Sequence, residues 1–156
     1  MKSPDLPLGG SCLCGAVRME ITAVPMMTLA CHCRDCQKLC ASAYSLTAMI
    51  PADGFSTSGV DPVIGGLRSA QRRHHYCPEC MTFLFTRIRG AEHRVNVRAT
   101  LLDELSWFVP FVEVMTKERL PWVSLPARHS FATLPASREA FGELLAEYET
   151  ATRGTA

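Results

Sequence analysis

Three tight groups of cysteines constrain this chain more than any other feature. They are Cys12 and Cys14, then Cys31, Cys33 and Cys36, then Cys77 and Cys80, with Cys40 left over. Thiolates are soft ligands that suit zinc. A reducing cytosol favours metal binding or catalysis over disulfides. Residues 1–10 hold one lysine and no apolar run, so no secretory signal is expected. No apolar stretch nears 18 residues, so no membrane span is expected either. The expected location is the cytoplasm.

A chain of 156 residues fits a single domain spanning 1–156, and it buries roughly 70% of its unfolded surface on folding. A core is therefore available without metal. The formal charge is +1, and thiolate ligation would make it more negative. That balance argues against a nucleic-acid partner, which a basic face normally recognises.

Around Cys12 and Cys14, residues i and i+2 of a strand lie roughly 6.5 Å apart, whereas two sulfurs on one zinc lie under about 4 Å apart. The backbone must curl there, and the flanking glycines allow it. Gly9 and Gly10 read as a turn. Residues 16–21 alternate as a half-buried strand. The plainer alternative makes Cys12 and Cys14 core residues, since free cysteine buries well. The later thiol pair favours the ligand reading.

The stretch 31–36, CHCRDC, puts three thiols within six residues. Three protein ligands leave the fourth position of a tetrahedral zinc for water or substrate. His32 points away from its neighbours on an extended backbone and reads as a non-ligand, a bracing or surface group. Residues 37–43 suit a short helix, on which Cys40 falls one turn after Cys36. Cys40 is either a fourth ligand or a small buried residue, and burial is the favoured reading.

Residues 44–50, 82–88, 94–99 and 108–115 read as strands. Residues 51–54 and 56–59 read as turns, and 61–66 as loop. Arg68, Arg72 and Arg73 form a solvated basic face or the rim of an anion site, with the solvated face favoured. Cys77 and Cys80 flank Pro78 in a knuckle; alone they could be a redox pair, but beside the other thiols zinc fits better. His74 and His75 suit surface or packing roles. Residues 120–123 read as an extended apolar plug. Phe141, Leu144, Leu145 and Tyr148 recur at i, i+3, i+4 and i+7, marking an amphipathic helix over about 136–151 with Ser137 as N-cap. No repeat, phosphate loop or serine elbow appears.

Residues 10–17 (GSCLCGAV), 31–38 (CHCRDCQK), 76–80 (YCPEC) and 119–123 (RLPWV) together resemble the glutathione-dependent formaldehyde-activating enzyme family. The resemblance covers about 8–125. It implies a mainly β fold, a β-tent of small antiparallel sheets around zinc, with the helices after Cys36 and near the C-terminus added. It implies two zinc ions per chain: a structural zinc on Cys12, Cys14, Cys77 and Cys80, and a catalytic zinc on Cys31, Cys33 and Cys36. Spacing alone does not choose this pairing, because Cys12, Cys14, Cys31 and Cys33 would also make a tetrahedron. The implied activity is that of a carbon–sulfur lyase, an S-(hydroxymethyl)glutathione synthase-like enzyme. A thiol such as glutathione, deprotonated on the metal, would add to formaldehyde or another small electrophile. Met81 stands where the family usually has glycine, and Cys40 and Ala41 replace a small residue and glycine.

Two other classes compete. A zinc-braced binding module without chemistry would close both metal shells, for instance through Cys40. A thiol redox enzyme would need a free, activated cysteine, and Cys40 is the candidate.

Overall fold

The computed structural model describes residues 1–67 and 69–153, so Arg68 lies outside the described residues. In chain order the elements are β1 (Leu8–Ser11), β2 (Val17–Ile21), β3 (Met27–Cys31), α1 (Arg34–Cys40), β4 (Ser45–Pro51), β5 (Phe55–Gly59) and β6 (Val63–Gly65). There follow β7 (Arg72–Tyr76), β8 (Phe83–Ile88), β9 (Arg94–Arg98), β10 (Val112–Val114), β11 (His129–Ser130) and α2 (Arg138–Arg153). The described residues form a mainly β fold with two α-helices. Among the described residues no helix is long and apolar enough to cross a membrane.

The described strands form two sheets. A three-stranded antiparallel sheet has the order β1-β2-β5, and an eight-stranded sheet has the order β11-β10-β3-β4-β9-β8-β7-β6. The large sheet is antiparallel except around β10, which runs parallel to both β3 and β11. Alternation explains how the sheets meet. Val17, Met19 and Ile21 face inward from β2 while Arg18 and Glu20 face out. They join Ala48, Ile50, Val95 and Val97 of the large sheet in one core. A second core lies beneath α2, where Leu144 and Tyr148 pack with Met27, Met49, Phe111 and Val112. Tyr148 meets Phe111 edge to face at 5.2 Å.

Four local expectations are corrected. Gly9 and Gly10 are not a turn but part of β1. A Cβ on Gly10 would sit 2.6 Å from the Leu101 carbonyl, so glycine is there for close backbone approach. Residues 56–59 lie in β5, because pairing with β2 overrides their turn composition. Residues 61–66 include β6, a three-residue edge strand held against β7. Residues 120–123 are no apolar plug: Pro121 and Trp122 lie in a turn and Trp122 is 74% exposed, leaving only Val123 buried.

Both helices start where their caps require. Cys33 caps α1, its sulfur accepting from the Cys36 N–H at 3.4 Å, so the helix begins earlier than residue 37. It ends at Ala41 in the left-handed region, with φ 46°. In α2 the Ser137 hydroxyl accepts from the Ala140 N–H at 3.1 Å, and Glu139 lies near the positive end.

Candidate metal centres and the adjoining cleft

Two loops meet at the first thiol group. The β1–β2 loop carries Cys12 and Cys14, and the β7–β8 loop carries Cys77 and Cys80. The four sulfurs all lie within 4.8 Å of one another. The curl expected at Cys12 is made by Gly15, whose φ is 76° and whose N–H donates to the Cys12 carbonyl at 3.0 Å. The Leu13 N–H reaches across to the Thr82 hydroxyl at 3.2 Å, tying the loops together. The same hydroxyl lies 3.0 Å from the Cys80 sulfur, and it is the main reason that thiol falls to a pKa of about 5. Met81, at φ 57°, completes the second knuckle in a left-handed conformation that glycine would adopt without strain.

Cys31, at the end of β3, and Cys33 and Cys36, at the start of α1, form the second group, again with all sulfurs within 4.8 Å. The Cys31 thiol lies beside the Cys36 sulfur as a hydrogen-bond partner. That bond holds Cys36 at about 5 and pushes Cys31 well up, with Ser45 and Arg98 also favouring the Cys36 thiolate. Cys40 is outside this group. It is half-buried beside Arg98, and burial pushes its thiol up rather than activating it. Four thiols in one group and three in the other suit a closed and an open tetrahedral shell respectively, so each group can hold a metal ion.

His32 is fully buried rather than a surface residue. Its Nε2 lies 2.9 Å from Glu113 Oε2, and Glu113 Oε1 accepts from Arg119 at 3.1 Å. The Gln37 amide donates to the carbonyls of His32 and Glu118, at 2.6 and 3.0 Å. These bonds fix the backbone between Cys31 and Cys33 against β10 and the turn after it. The sequence offered one sign of them: Arg119 opens the RLPWV motif.

The three-cysteine group opens into a cleft of about 770 Å³. Its floor is one face of the large sheet, and it is built in cross-strand rows. Cys31 pairs with Ser45, and Leu29 with Thr47, which pairs with Arg98. Met27, Met49, Asn96, Thr86 and His74 make the next row. Arg94, Asn96 and Arg98 alternate with the core residues Val95 and Val97, so the polar side of β9 faces the cleft instead of open solvent. That polar alternation was the available signal. Of the expected basic face, Arg72 lines the cleft while Arg73 does not. His74 is buried, and burial, then the cations of Arg98 and Arg72, push its pKa below the ordinary value. His75 stacks on Phe85 at 4.4 Å, a packing role. Leu134, Pro135, Arg138 and Phe141 form a wall where the chain enters α2.

No curated protein sequence matches the chain. A crystal structure of a Rhodobacter sphaeroides protein superposes with a TM-score of 0.52 at 17% identity, covering 63% of this chain and 90% of that one. That likeness speaks to the fold alone. The sequence pattern of the glutathione-dependent formaldehyde-activating enzymes matches residues 7–118, over the strands, knuckles and cleft floor described above. The chain therefore belongs to the glutathione-dependent formaldehyde-activating enzyme family.

Proposed function

We propose that the protein is a zinc-dependent carbon–sulfur lyase of the S-(hydroxymethyl)glutathione synthase type. In this reading glutathione or a similar thiol adds to formaldehyde or another small electrophile at Cys31, Cys33 and Cys36. Cys12, Cys14, Cys77 and Cys80 hold a second, structural zinc. The family supplies the substrate class. The observation that carries the site assignment is that three sulfurs within 4.8 Å of one another line a cleft while Cys40 stays apart.

Zinc, when bound by these three thiolates, would supply a fourth position that favours the deprotonated form of an incoming thiol. The thiolate sulfur then forms a C–S bond to the carbonyl carbon, the C=O π pair moves to oxygen, and a proton completes the hydroxyl. S–H and C=O are exchanged for C–S and O–H. The chain's residues hold the reactants. The Cys36 N–H orients the Cys33 sulfur, and the buried Arg98 cation offsets negative charge gathered on the thiolates. Met27, Leu29 and Val112 make the adjoining wall apolar, and alignment there supplies rate. A reducing cytosol is the compartment that suits such thiols.

Cobalt substitution tests this reading. Glutathione added to the cobalt protein should change the thiolate-to-metal absorption as a fourth sulfur arrives. Cys40→Ala should give the same change, because Cys40 is not a ligand. If neither protein responds, the open site is wrong and a zinc-braced binding module is the better account. Elemental analysis should give two zinc ions per chain.

A further inference from the structure

The floor of the cleft holds polar groups that the protein itself leaves unanswered. Nε of Arg98, Nε of Arg94, Oδ1 of Asn96 and Nε2 of His74 are buried and have no hydrogen-bond partner. Arg98 and His74 are only 7% and 6% exposed. All four residues line the same cleft as the three cysteines. Buried polar groups are nearly always hydrogen-bonded, and a cluster of exceptions needs a cause. Arg98 and Arg94 also lack a carboxylate: among the described residues none of the ion pairs includes either. Instead Arg98 lies over the Phe83 ring and Arg94 over the Phe141 ring, each at 4.9 Å. Nη2 of Arg98 donates to the Asn96 carbonyl at 3.5 Å and Nη1 of Arg94 meets the Met49 sulfur at 2.7 Å, so the rings and these bonds fix each guanidinium plane while Nε stays unanswered.

Charge and position identify what would satisfy the donors among these groups; Oδ1 of Asn96, an acceptor, needs an N–H or O–H of the same ligand instead. Burial and the nearby guanidiniums of Arg98 and Arg72 lower the His74 pKa, and the fixed positive charge on the floor is that of the guanidiniums. A guanidinium fork matches a planar carboxylate with two parallel bonds. Arg98 stands nearest the thiols, within electrostatic reach of Cys36 and Cys31. Arg94 lies about 13 Å further along the strand at the backbone. Formaldehyde is neutral and has no use for either cation.

We propose that the cleft floor is a carboxylate-binding site, centred on Arg98 with His74 and Asn96 beside it, which selects a carboxylate-bearing reactant for the adjacent three-cysteine site. This rests on the thiol-addition reading above only for what happens next, since the site itself is built from groups that bind no metal. The carboxylate belongs either to the thiol or to the electrophile, and the test separates them.

The zinc-loaded protein is titrated calorimetrically with two pairs of ligands. S-methylglutathione against its diethyl ester tests the thiol as source, with the sulfur blocked so that binding does not depend on metal. Glyoxylate against acetaldehyde tests the electrophile. In at least one pair the carboxylate form should bind ~10-fold tighter or more, and that pair names the source. Arg98→Met should bring the preference close to parity. Arg98→Lys, which keeps the charge but loses the fork, is the safer variant for folding and should cut the preference several-fold. Circular dichroism checks both variants. Equal binding within both pairs, no binding by any of the four, or a preference that survives in the Arg98 variants overturns the site. The cobalt spectrum with glutathione is read separately, so the carboxylate site and the thiol reading can each fail without the other.

Discussion

Nε2 of His32 lies 2.9 Å from Oε2 of Glu113, with both side chains buried. One residue sits between two cysteines of the three-thiol group and the other on a strand 81 positions away. This bond therefore connects the chemistry of β3 to the parallel strand beside it. Its other oxygen is taken by Arg119, so Glu113 stands between two donors.

Glu113→Ala should destabilise the protein by about 2–4 kcal/mol, because it leaves a buried imidazole and a guanidinium without their acceptor. Urea unfolding of the metal-loaded protein measures this. Metal at Cys31, Cys33 and Cys36 should weaken by roughly 10–100-fold, as expected when a group that orients ligands is lost. Metal at the four-cysteine group should be unchanged. A variant that weakens both sites equally would contradict this role.

The two thiol groups should respond differently to loss of one ligand. Cys77 joins loops from the two sheets, whereas Cys36 closes a local turn. Structural zinc contributes of order 10 kcal/mol of apparent folding free energy in small domains. Cys77→Ser should unfold or severely destabilise the chain, and Cys36→Ser should leave it folded with one metal depleted. Thermal melts beside elemental analysis distinguish the two.

The departures from the family's glycines have a structural reading. Ala41 and Met81 both occupy left-handed backbone, at φ 46° and 57°. A non-glycine residue is disfavoured there by roughly 1–2 kcal/mol. Ala41→Gly and Met81→Gly should therefore each raise stability by about 1 kcal/mol, less the extra entropy glycine gives the unfolded chain. Denaturant midpoints report it, and a fall at both positions would refute the strain argument.

The cysteine groups were legible in the sequence because metal ligands need fixed spacing. The strands at 16–21 and 94–99 were legible because one face is apolar. What could not be read was which way a polar face points. On β9 the residues Arg94, Asn96 and Arg98 look like a solvent side, and only the arrival of α1 and α2 turns that side into a cleft. The short strands β5 and β6 were hidden for a related reason: their serines and glycines carry turn propensity, and pairing with β2 and β7 decides otherwise. The partnership of His32 and Glu113 depends on a parallel register that no local pattern announces.

Alkaline pH should loosen α2. Burial pushes the Tyr148 phenol up to about 12, from an ordinary 10.0. The raised value means the neutral form is favoured in the folded state. Its contribution is intact below pH 10 and is lost as pH rises from 10 towards 12, amounting to ~2–3 kcal/mol in full. Tyr148→Phe should lack this loss. The difference between the two proteins in urea midpoint at pH 8 and at pH 11 checks the sign.

The wall formed by Leu134, Pro135, Arg138 and Phe141 lies beyond residue 118, where the family match ends. The two cysteine groups and the floor lie within it. The chain thus keeps its cysteine groups and cleft floor on one length of polypeptide and one wall of the cleft on another. A different C-terminal segment would reshape one wall of the cleft without disturbing a single cysteine or floor residue, so exchange of this segment is the natural handle for changing which molecules the cleft admits.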